Sequence, residues 1–228
     1  MDDLILIGAG GLAREVAAAA DSGHRHRILG IVDDDPALHG RSIHGRPVLG
    51  GIDQVLWDRS SRLVICTGQG RTRRRIVEQL AAHDIGISRF ATIVHPSVHV
   101  PPSCFVGVGS VLLAQVALTA DARIGRHVVV MPNATITHDD VIGDYATLCA
   151  GVSLAGNVTI GQGAYLGADA SVRQHLRVGN DSTLGMGSTL LDDLPDGETW
   201  AGVPACPVGM TSPRNAPTPV VSAVEGAS

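Results

Sequence analysis

The sequence predicts an α/β, Rossmann-like N-terminal domain followed by a parallel β-helix built from hexapeptide repeats. Strand and helix patterns alternate through the first ninety residues, and beyond them an aliphatic residue recurs at every sixth position. The chain also has 28 glycines but only 3% aromatic residues. Small and branched aliphatic side chains suit the tight, repetitive core of such a coil.

The N-terminal region, residues 1–90, alternates strand patterns with helix patterns. LILIGAGGLAREVAAAADSG is typical of a strand, a glycine turn and an alanine-rich helix. RILGIVDDD adds a strand that ends in acids, and RLVICTGQGRTRRRIVEQLAAHDI adds a third strand with its helix. This alternation predicts a parallel sheet with its ligand at the carboxyl ends of the strands.

A glycine-rich turn follows the first strand. Gly8, Gly10 and Ala13 match the pattern G-x-G-x-x-G/A, and Asp33 follows at the end of the second strand pattern. The pattern predicts a phosphate at the helix start near Gly11. Ninety residues hold one mononucleotide-binding half, whereas NAD-binding folds use two, so a nucleotide-linked ligand is favoured over a hydride cofactor.

Other polar residues should reach the same edge of the sheet. Carboxylates of Asp33 and Asp34 suit ribose hydroxyls or base N–H groups, and Arg71 and Arg74 suit a pyrophosphate. The alternative for the arginines of RTRRR is a solvated helix face. The predicted substrate-binding set is Gly8, Gly10, Gly11, Asp33, Asp34, Gly68 and Arg71.

The second region, residues 91–207, carries an unbroken six-residue repeat. Seventeen successive positions are Ile, Leu or Val: 94, 100, 106, 112, 118, 124, 130, 136, 142, 148, 154, 160, 166, 172, 178, 184 and 190. A period of six matches neither a helix nor a hairpin meander. It predicts short strands joined by tight corners, in a prism roughly 25–30 Å long at ~4.8 Å per coil. The tail, residues 208–228, is rich in Pro, Ser, Thr and Ala and is predicted to be flexible.

Charge and cysteine content narrow the class of protein. A net charge of −5 and a pI near 6.0 show no excess of positive charge that would indicate binding to nucleic acid or to an anionic membrane. The N-terminus MDDLILIGAGG has acids where a signal peptide needs bases, and no apolar run reaches membrane length. The four cysteines form neither a CxxC pair nor a metal-like cluster. These features predict a cytoplasmic protein with reduced thiols and no metal.

The stretch NATITHDDVIGDYATL holds a polar triplet, His138-Asp139-Asp140, between two of the repeating aliphatic positions. An imidazole that titrates near neutrality is a suitable proton acceptor, and an adjacent carboxylate would fix its tautomer. Asp140 occupies a position where most coils have a small residue or Val. A charge turned inward there is costly unless paired, and the alternative is that it faces solvent. The other nine histidines are expected to be ordinary exposed residues.

The motifs GAGGLAREV, IVDDD, CTGQGR, ITHDDVIGDYA, LAGNVTIG and WAGVPA together resemble a group of bacterial sugar acyltransferases. The group includes sialic acid O-acetyltransferases and the N-acetyltransferases of UDP- or GDP-linked 4-amino sugars. The resemblance covers nearly the whole chain. It implies a left-handed β-helix, a homotrimer, a nucleotide-linked sugar in the N-terminal domain, and acetyl-CoA between neighbouring β-helices.

The resemblance also implies the site residues. His138 falls on the family's catalytic histidine and Asp139 on its acidic neighbour. The N–H of Gly156 would bind the thioester carbonyl and its developing oxyanion. Ala168 would line the pantetheine groove.

Five further residues follow from the same resemblance. The coil Gly185-Met186-Gly187 would lie near the coenzyme. Trp200 would stand beside it or, alternatively, cap the β-helix. Thr147 stands where some relatives have a histidine that touches the coenzyme.

The sequence therefore predicts an acetyl-CoA-dependent acetyltransferase. It would act on the amino group of a nucleotide-linked sugar by direct attack, with His138 as general base. The nearest alternative is O-acetylation of a sugar such as sialic acid. An NAD-dependent oxidoreductase and a non-catalytic β-helix scaffold are the alternatives from other classes.

Overall fold

The structure, a computed structural model, describes residues 1–208. Apart from residue 208, the predicted flexible tail lies outside the described residues. The predicted fold class is confirmed: a Rossmann-like α/β region precedes a left-handed parallel β-helix.

The N-terminal region forms one sheet with helices packed on it. Its elements in chain order are β1 Asp2–Ile7, α1 Gly11–Gly23, β2 His26–Val32, a 3-10 turn Pro36–Leu38, β3 Ser42–Ile43, β4 Arg46–Gly50, α2 Gln54–Trp57, β5 Arg62–Ile65, α3 Gly70–Ala81 and a 3-10 turn Ile87–Arg89. The strand order is β3-β4-β2-β1-β5. The pairs β1–β2, β1–β5 and β2–β4 are parallel, so their carboxyl ends share one edge, as predicted.

Two strands in this sheet were not predicted from the sequence. The hairpin β3–β4 pairs antiparallel at the sheet edge. His44 and Gly45 between its strands both have positive φ, at 48° and 78°. Two successive left-handed residues make the turn that suits a two-residue hairpin, and this His-Gly pair was the sequence signal for it.

The coil is made of short parallel strands in three sheets. They are β6 Ile93–Val94, β7 Phe105–Val106, β8 Val111–Leu112, β9 Ala117–Leu118, β10 Arg123–Ile124, β11 Val129–Val130, β12 Thr135–Ile136, β13 Val141–Ile142, β14 Thr147–Leu148, β15 Ser153–Leu154, β16 Thr159–Ile160, β17 Tyr165–Leu166, β18 Ser171–Val172, β19 Arg177–Val178, β20 Thr183–Leu184 and β21 Thr189–Leu190. Two further strands, β22 Thr199–Ala201 and β23 Cys206–Pro207, pair antiparallel at the end.

The six-residue repeat sets this architecture. Every repeating aliphatic residue lies in the core or packs against it, and all except Val100 are the second residue of a strand. Val100 precedes Pro101 and Pro102, which have no N–H with which to continue a ladder. From β7 to β18, each strand pairs with the strand three places further along the chain, as in the register of Val129 in β11 with Thr147 in β14.

The corners between sheets form three edges, which we name for what they carry. The histidine edge comprises residues 137–140, 155–158 and 173–176. The glycine edge comprises residues 149–152, 167–170 and 185–188. The docking edge comprises residues 125–128, 143–146, 161–164 and 179–182.

The N-terminal region packs against one sheet and one edge of the coil. Apolar residues of α1 share a buried cluster with Val111, Leu113 and Val129, which lie on the outside of the sheet that contains β8 and β11. The start of α3 lies on the docking edge, where a Cβ on Gly70 would come 2.1 Å from the carbonyl oxygen of Tyr145. The histidine edge is opposite this sheet in the triangular prism.

Candidate active site

His138 stands on the histidine edge with its imidazole open to solvent. Its Nδ1 lies 2.9 Å from Oδ2 of Asp139, and the two side chains are 63% and 60% exposed. Asp139 has a φ of 64°, in the left-handed region that aspartate tolerates better than most residues. This backbone turn brings the carboxylate beside the adjacent ring. The pair has the arrangement of a base and its orienting acid.

Gly156 lies against the imidazole in the next coil. A Cβ built on Gly156 would come 2.2 Å from both Cε1 and Nε2 of His138. Glycine is therefore required for the ring to occupy this place. Within residues 1–208, the Gly156 N–H has no protein acceptor. The Nε2 side of His138 and a free N–H thus lie side by side.

Asp140 does not face solvent, which rejects one of the two interpretations of its position. It is fully buried, and its carboxylate accepts backbone N–H bonds from Thr137 at 2.7 Å and from Val158 at 2.8 Å. Burial raises the pKa of this carboxyl to about 6, although the two backbone bonds act in the opposite direction. The buried carboxylate is therefore hydrogen-bonded through both of its oxygens, as burial of a polar group requires.

The other predicted coenzyme residues lie together on the glycine edge. Ala168 and Met186 occupy the same place in successive coils, and the Gly187 N–H donates to the Ala168 carbonyl at 2.7 Å. Met186 is 77% exposed at the corner. A Cβ on Gly185 would come 2.9 Å from Cβ of Ala201, so Gly185 lets the chain end pack closely. These residues share one surface, and Gly156 lies on another edge of the same chain.

Trp200 lies at the end of the coil, in register with Leu184. It is half-buried against the aliphatic core, and its Nε1 donates to Oε2 of Glu198 at 2.7 Å. Its observed contacts are those of a cap on the β-helix.

A cavity of about 190 Å³ opens at the carboxyl ends of the N-terminal strands. Three of the predicted substrate-binding residues, Gly8, Asp33 and Asp34, line this cavity. Thr67 and Arg75 also line it. The remaining four, Gly10, Gly11, Gly68 and Arg71, lie outside this lining. Gly8 and the two acids therefore meet at one place, whereas Gly10 and Gly11 at the helix start do not line the cavity.

The two acids also hold the loops around the cavity. Asp33 accepts N–H bonds from Ala9 at 2.8 Å and from Asp35 at 2.9 Å, which fixes the glycine turn to the end of β2. Asp34 accepts the Ile52 N–H at 2.9 Å. Each carboxylate oxygen keeps a second lone pair for a ligand hydroxyl.

Arg74, predicted as a pyrophosphate contact, is directed elsewhere. Its Nη2 lies 3.2 Å from Oδ1 of Asp181, and its guanidinium stands 5.6 Å from the centre of the Tyr145 ring. Arg74 does not line the cavity in this structure, and the β-helix offers a carboxylate within its reach, so its contact with a pyrophosphate stays a prediction. Arg71, in the first turn of the same helix, is exposed.

Arg73 joins the two regions. It is 1% exposed, and its guanidinium donates to five carbonyls and one hydroxyl rather than to a carboxylate. Burial lowers its pKa to about 10. The acceptors are the carbonyl oxygens of Thr67, Gly68, His127, Tyr145 and Ala146 and the hydroxyl of Thr147.

Thr147 therefore belongs to this junction. It is fully buried, and its hydroxyl donates to the Gly68 carbonyl at 2.8 Å while it accepts from Arg73 at 2.9 Å.

His127 corrects the expectation that every histidine other than His138 is exposed. It is 1% exposed, stacked on Tyr145 at 5.4 Å between ring centres and edge-on to Phe90 at 4.7 Å. Within residues 1–208 neither ring nitrogen has a hydrogen-bond partner. Burial and the Arg73 cation lower its pKa to about 4, so the ring is neutral at physiological pH.

Sequence reasoning missed Arg73 and His127 because their roles arise from contacts between the two regions. An indirect signal exists for the second: Gly109 occupies the equivalent place one coil before His127, and a Cβ there would come 2.3 Å from the ring. A glycine stacked under a large residue in a periodic coil marks a side chain that folds back over its neighbour.

No helix within residues 1–208 combines the length and apolarity needed to cross a membrane. Over the same range, no group of three or more His, Cys, Asp or Glu side chains is placed to hold a metal ion.

Comparisons with known proteins agree with this fold. Residues 3–80 match the family model of the PglD N-terminal domain. No curated protein sequence matches the chain significantly.

Solved structures match over nearly the full length. A variant of GDP-perosamine N-acetyltransferase from Caulobacter crescentus, in complex with CoA and GDP-perosamine, is 31% identical with a TM-score of 0.84; 92% of this chain and 98% of that one are covered. The acetyltransferase domain of PglB from Neisseria gonorrhoeae is 32% identical with a TM-score of 0.81, over 91% and 100%. The same domain in complex with acetyl coenzyme A is 33% identical with a TM-score of 0.81, over 90% and 98%.

Proposed function

This chain belongs to the hexapeptide-repeat sugar acetyltransferases, and we propose that it transfers acetyl from acetyl-CoA to the amino group of a nucleotide-linked amino sugar. The relatives just described bind CoA or acetyl-CoA, and one of them also binds GDP-perosamine. The single observation that carries the proposal is the exposed His138–Asp139 pair against Gly156.

The proposed reaction assigns a role to each of these groups. Nδ1–H of His138 donates to Asp139, which leaves the Nε2 lone pair free. The amine attacks the thioester carbonyl carbon while Nε2 takes its proton. The Gly156 N–H stabilises the oxyanion that forms. The tetrahedral intermediate then expels the CoA thiolate, which takes the proton from the imidazolium.

We further propose that each site is shared between copies of this chain in a homotrimer. The reacting groups must lie within about 3–3.5 Å of one another. The N-terminal region packs on the docking edge, which does not carry His138. Ala168 and Met186 lie on a third edge. Neighbouring copies around a three-fold axis would bring one chain's histidine edge to another's glycine edge and cavity.

The cavity bounded by Gly8, Asp33 and Asp34 is the proposed site of the nucleotide-linked sugar. Arg75 is the cation in its lining, and it is suited to a phosphate. The compartment that we propose is the cytoplasm, because all four cysteines are free thiols.

The test is thiol release from acetyl-CoA with a panel of UDP-, GDP- and dTDP-linked amino sugars. We expect turnover with one donor–acceptor pair, reduced at least ~10²-fold in His138→Ala. Acetylation only of a sugar hydroxyl would replace the N-transfer proposal by O-transfer. Absence of both turnover and CoA binding would reject the function.

Sharing of the site is tested separately, by complementation. His138→Ala chains and Arg75→Glu chains are refolded together in equal amounts. If base and cavity come from different chains, random mixing restores roughly a quarter of the sites. If both come from one chain, mixing restores nothing, and the shared site is rejected.

A further inference from the structure

The buried carboxylate of Asp140 joins two consecutive turns of the histidine edge. One oxygen accepts the Thr137 N–H at 2.7 Å, and Thr137 immediately precedes His138. The other accepts the Val158 N–H at 2.8 Å, just beyond Gly156 in the next coil. Between these bonds, the Asn157 N–H donates to the His138 carbonyl at 2.9 Å. The Asp140 side chain thus holds both the turn that carries His138 and the turn that carries Gly156, the proposed oxyanion donor.

Coil stability alone does not require a carboxylate at this position. The equivalent place in other coils holds alanine at residues 122, 134, 146, 164 and 170, all fully buried. Where a hydrogen bond to the next coil is made, a hydroxyl suffices: Oγ of Ser110 accepts the Val128 N–H at 2.9 Å. The Asp140 carboxylate differs in holding its own turn and the next one together.

We propose that Asp140 is a positioning residue for acetyl transfer, holding the His138 turn and the Gly156 turn at a fixed separation. The inference rests on the proposed function, because it assigns chemistry to those two residues. Asp140 does not touch the reactants. It acts through the two backbone N–H groups that its carboxylate accepts, one in each turn. The spacing between the turns is tight, because a Cβ added to Gly156 would come 2.2 Å from the His138 ring.

Two neighbouring side chains affect the ionisation of Asp140. His138 favours its ionised form and Asp139 opposes it. Both substitutions used to test the inference are neutral, so each removes this charge together with one acceptor oxygen.

The first variant is Asp140→Asn, which keeps size but leaves one acceptor oxygen for two N–H donors. Asp140→Ser keeps one hydroxyl acceptor, like the hydroxyl of Ser110 that accepts the Val128 N–H. It replaces Asp140→Asn in the test if Asp140→Asn fails to fold. Ser110→Ala is the matched control, because it removes the same kind of inter-coil bond at a buried position away from the histidine edge.

We expect kcat to fall about 10- to 10²-fold in the Asp140 variants while the KM of both substrates changes less than about 3-fold. Ser110→Ala is expected to lower thermal stability with kcat unchanged. If Asp140→Asn keeps the wild-type kcat and only loses stability, as the control does, the positioning role is overturned.

A second readout does not need turnover. In protein labelled at histidine, the NMR ring resonances of His138 should shift or broaden in Asp140→Asn and stay unchanged in Ser110→Ala. Unchanged His138 resonances in both variants would overturn the inference even if no sugar substrate is ever found. Failure of the proposed function is recognised independently, by wild-type protein that neither binds CoA nor acetylates any sugar.

Discussion

The docking edge and the histidine edge are built from the same repeat and use the same residue types in opposite ways. On the docking edge the imidazole of His127 is buried and neutral, next to the buried cation of Arg73. On the histidine edge the imidazole of His138 is exposed, and the buried charge is the anion of Asp140.

This difference shows that the environment of a histidine in this coil depends on whether the N-terminal region covers its edge, and not on its position in the repeat. The N-terminal region covers the docking edge, so groups there lose water, and the charged form of a buried imidazole is disfavoured. The histidine edge is uncovered in a single chain, so its imidazole keeps access to solvent and to ligands. The predictions below act on one edge at a time.

Arg73→Leu is expected to have the largest effect. It would leave five carbonyls, all buried or part-buried, without this donor and cost about 3–5 kcal/mol of the free energy of unfolding. Urea denaturation measures this cost. Arg71→Leu on the same helix is exposed and should change stability by less than about 0.5 kcal/mol. Equal stability of the two variants would show that the docking edge does not depend on its buried cation.

Gly156→Ala tests the histidine edge from the other side. Its Cβ would collide with the His138 ring, whose atoms lie 2.2 Å from that position, so the ring must move. We expect kcat to fall about 10²- to 10³-fold, equivalent to about 3–4 kcal/mol of barrier. The melting temperature should change little, because His138 can rotate into solvent. Normal turnover would separate Gly156 from the reaction.

His127 predicts a pH dependence of stability that belongs to the docking edge. Its pKa is about 4 in the folded chain against 6.5 when unfolded, so only the unfolded chain gains a proton between these values. Stability should therefore fall by about 1–3 kcal/mol as the pH decreases from 6.5 toward 4. His127→Phe removes this dependence. His175→Phe, an exposed histidine with a φ of 63°, is the control and should retain it.

Asp140 contributes with the opposite sign in nearly the same range. Its pKa is about 6 in the folded chain against 3.8, so its contribution to stability falls as the pH rises between these values. The wild-type profile therefore contains two opposing terms. Only the difference between His127→Phe and wild type isolates the imidazole, and a pH-independent difference would contradict its assignment.

Arg74→Ala should have the smallest effect. Its contact with Asp181 is partly exposed and 3.2 Å long, and such pairs contribute about 0–1 kcal/mol. Thermal melting in low and high salt measures it, with a smaller loss expected at high salt. A loss comparable with that of Arg73→Leu would mean that docking depends on the helix face and not on the buried guanidinium.

Much of the fold could be predicted because local sequence patterns, such as the six-residue aliphatic period and the glycine turn, agree with the final architecture. The aliphatic period fixed the strand positions, and the glycine turn fixed the start of α1 at Gly11. The pairing of His138 with Asp139 followed from adjacency, and it holds at 2.9 Å. Their chemical roles stay predictions, as do those of Gly156, Ala168, Met186 and the residues around the cavity.

The remainder depended on contacts between distant parts of the chain. Arg73 looked like one arginine of a basic run, and only docking against residues 127 and 145–147 shows why it is buried. The inward orientation of Asp140 was one of two possibilities from its position in the repeat. The Val158 N–H, one coil away, decides between them.

The most direct test compares His138→Ala with His127→Phe in the same two assays, acetyl transfer and thermal unfolding. We predict that His138→Ala loses at least ~10²-fold in kcat with its melting temperature preserved. His127→Phe should retain kcat within about 3-fold and lose only the acid sensitivity of its stability. Undiminished turnover in His138→Ala, or an equal loss of turnover in a folded His127→Phe, would contradict the assignment of chemistry to the histidine edge.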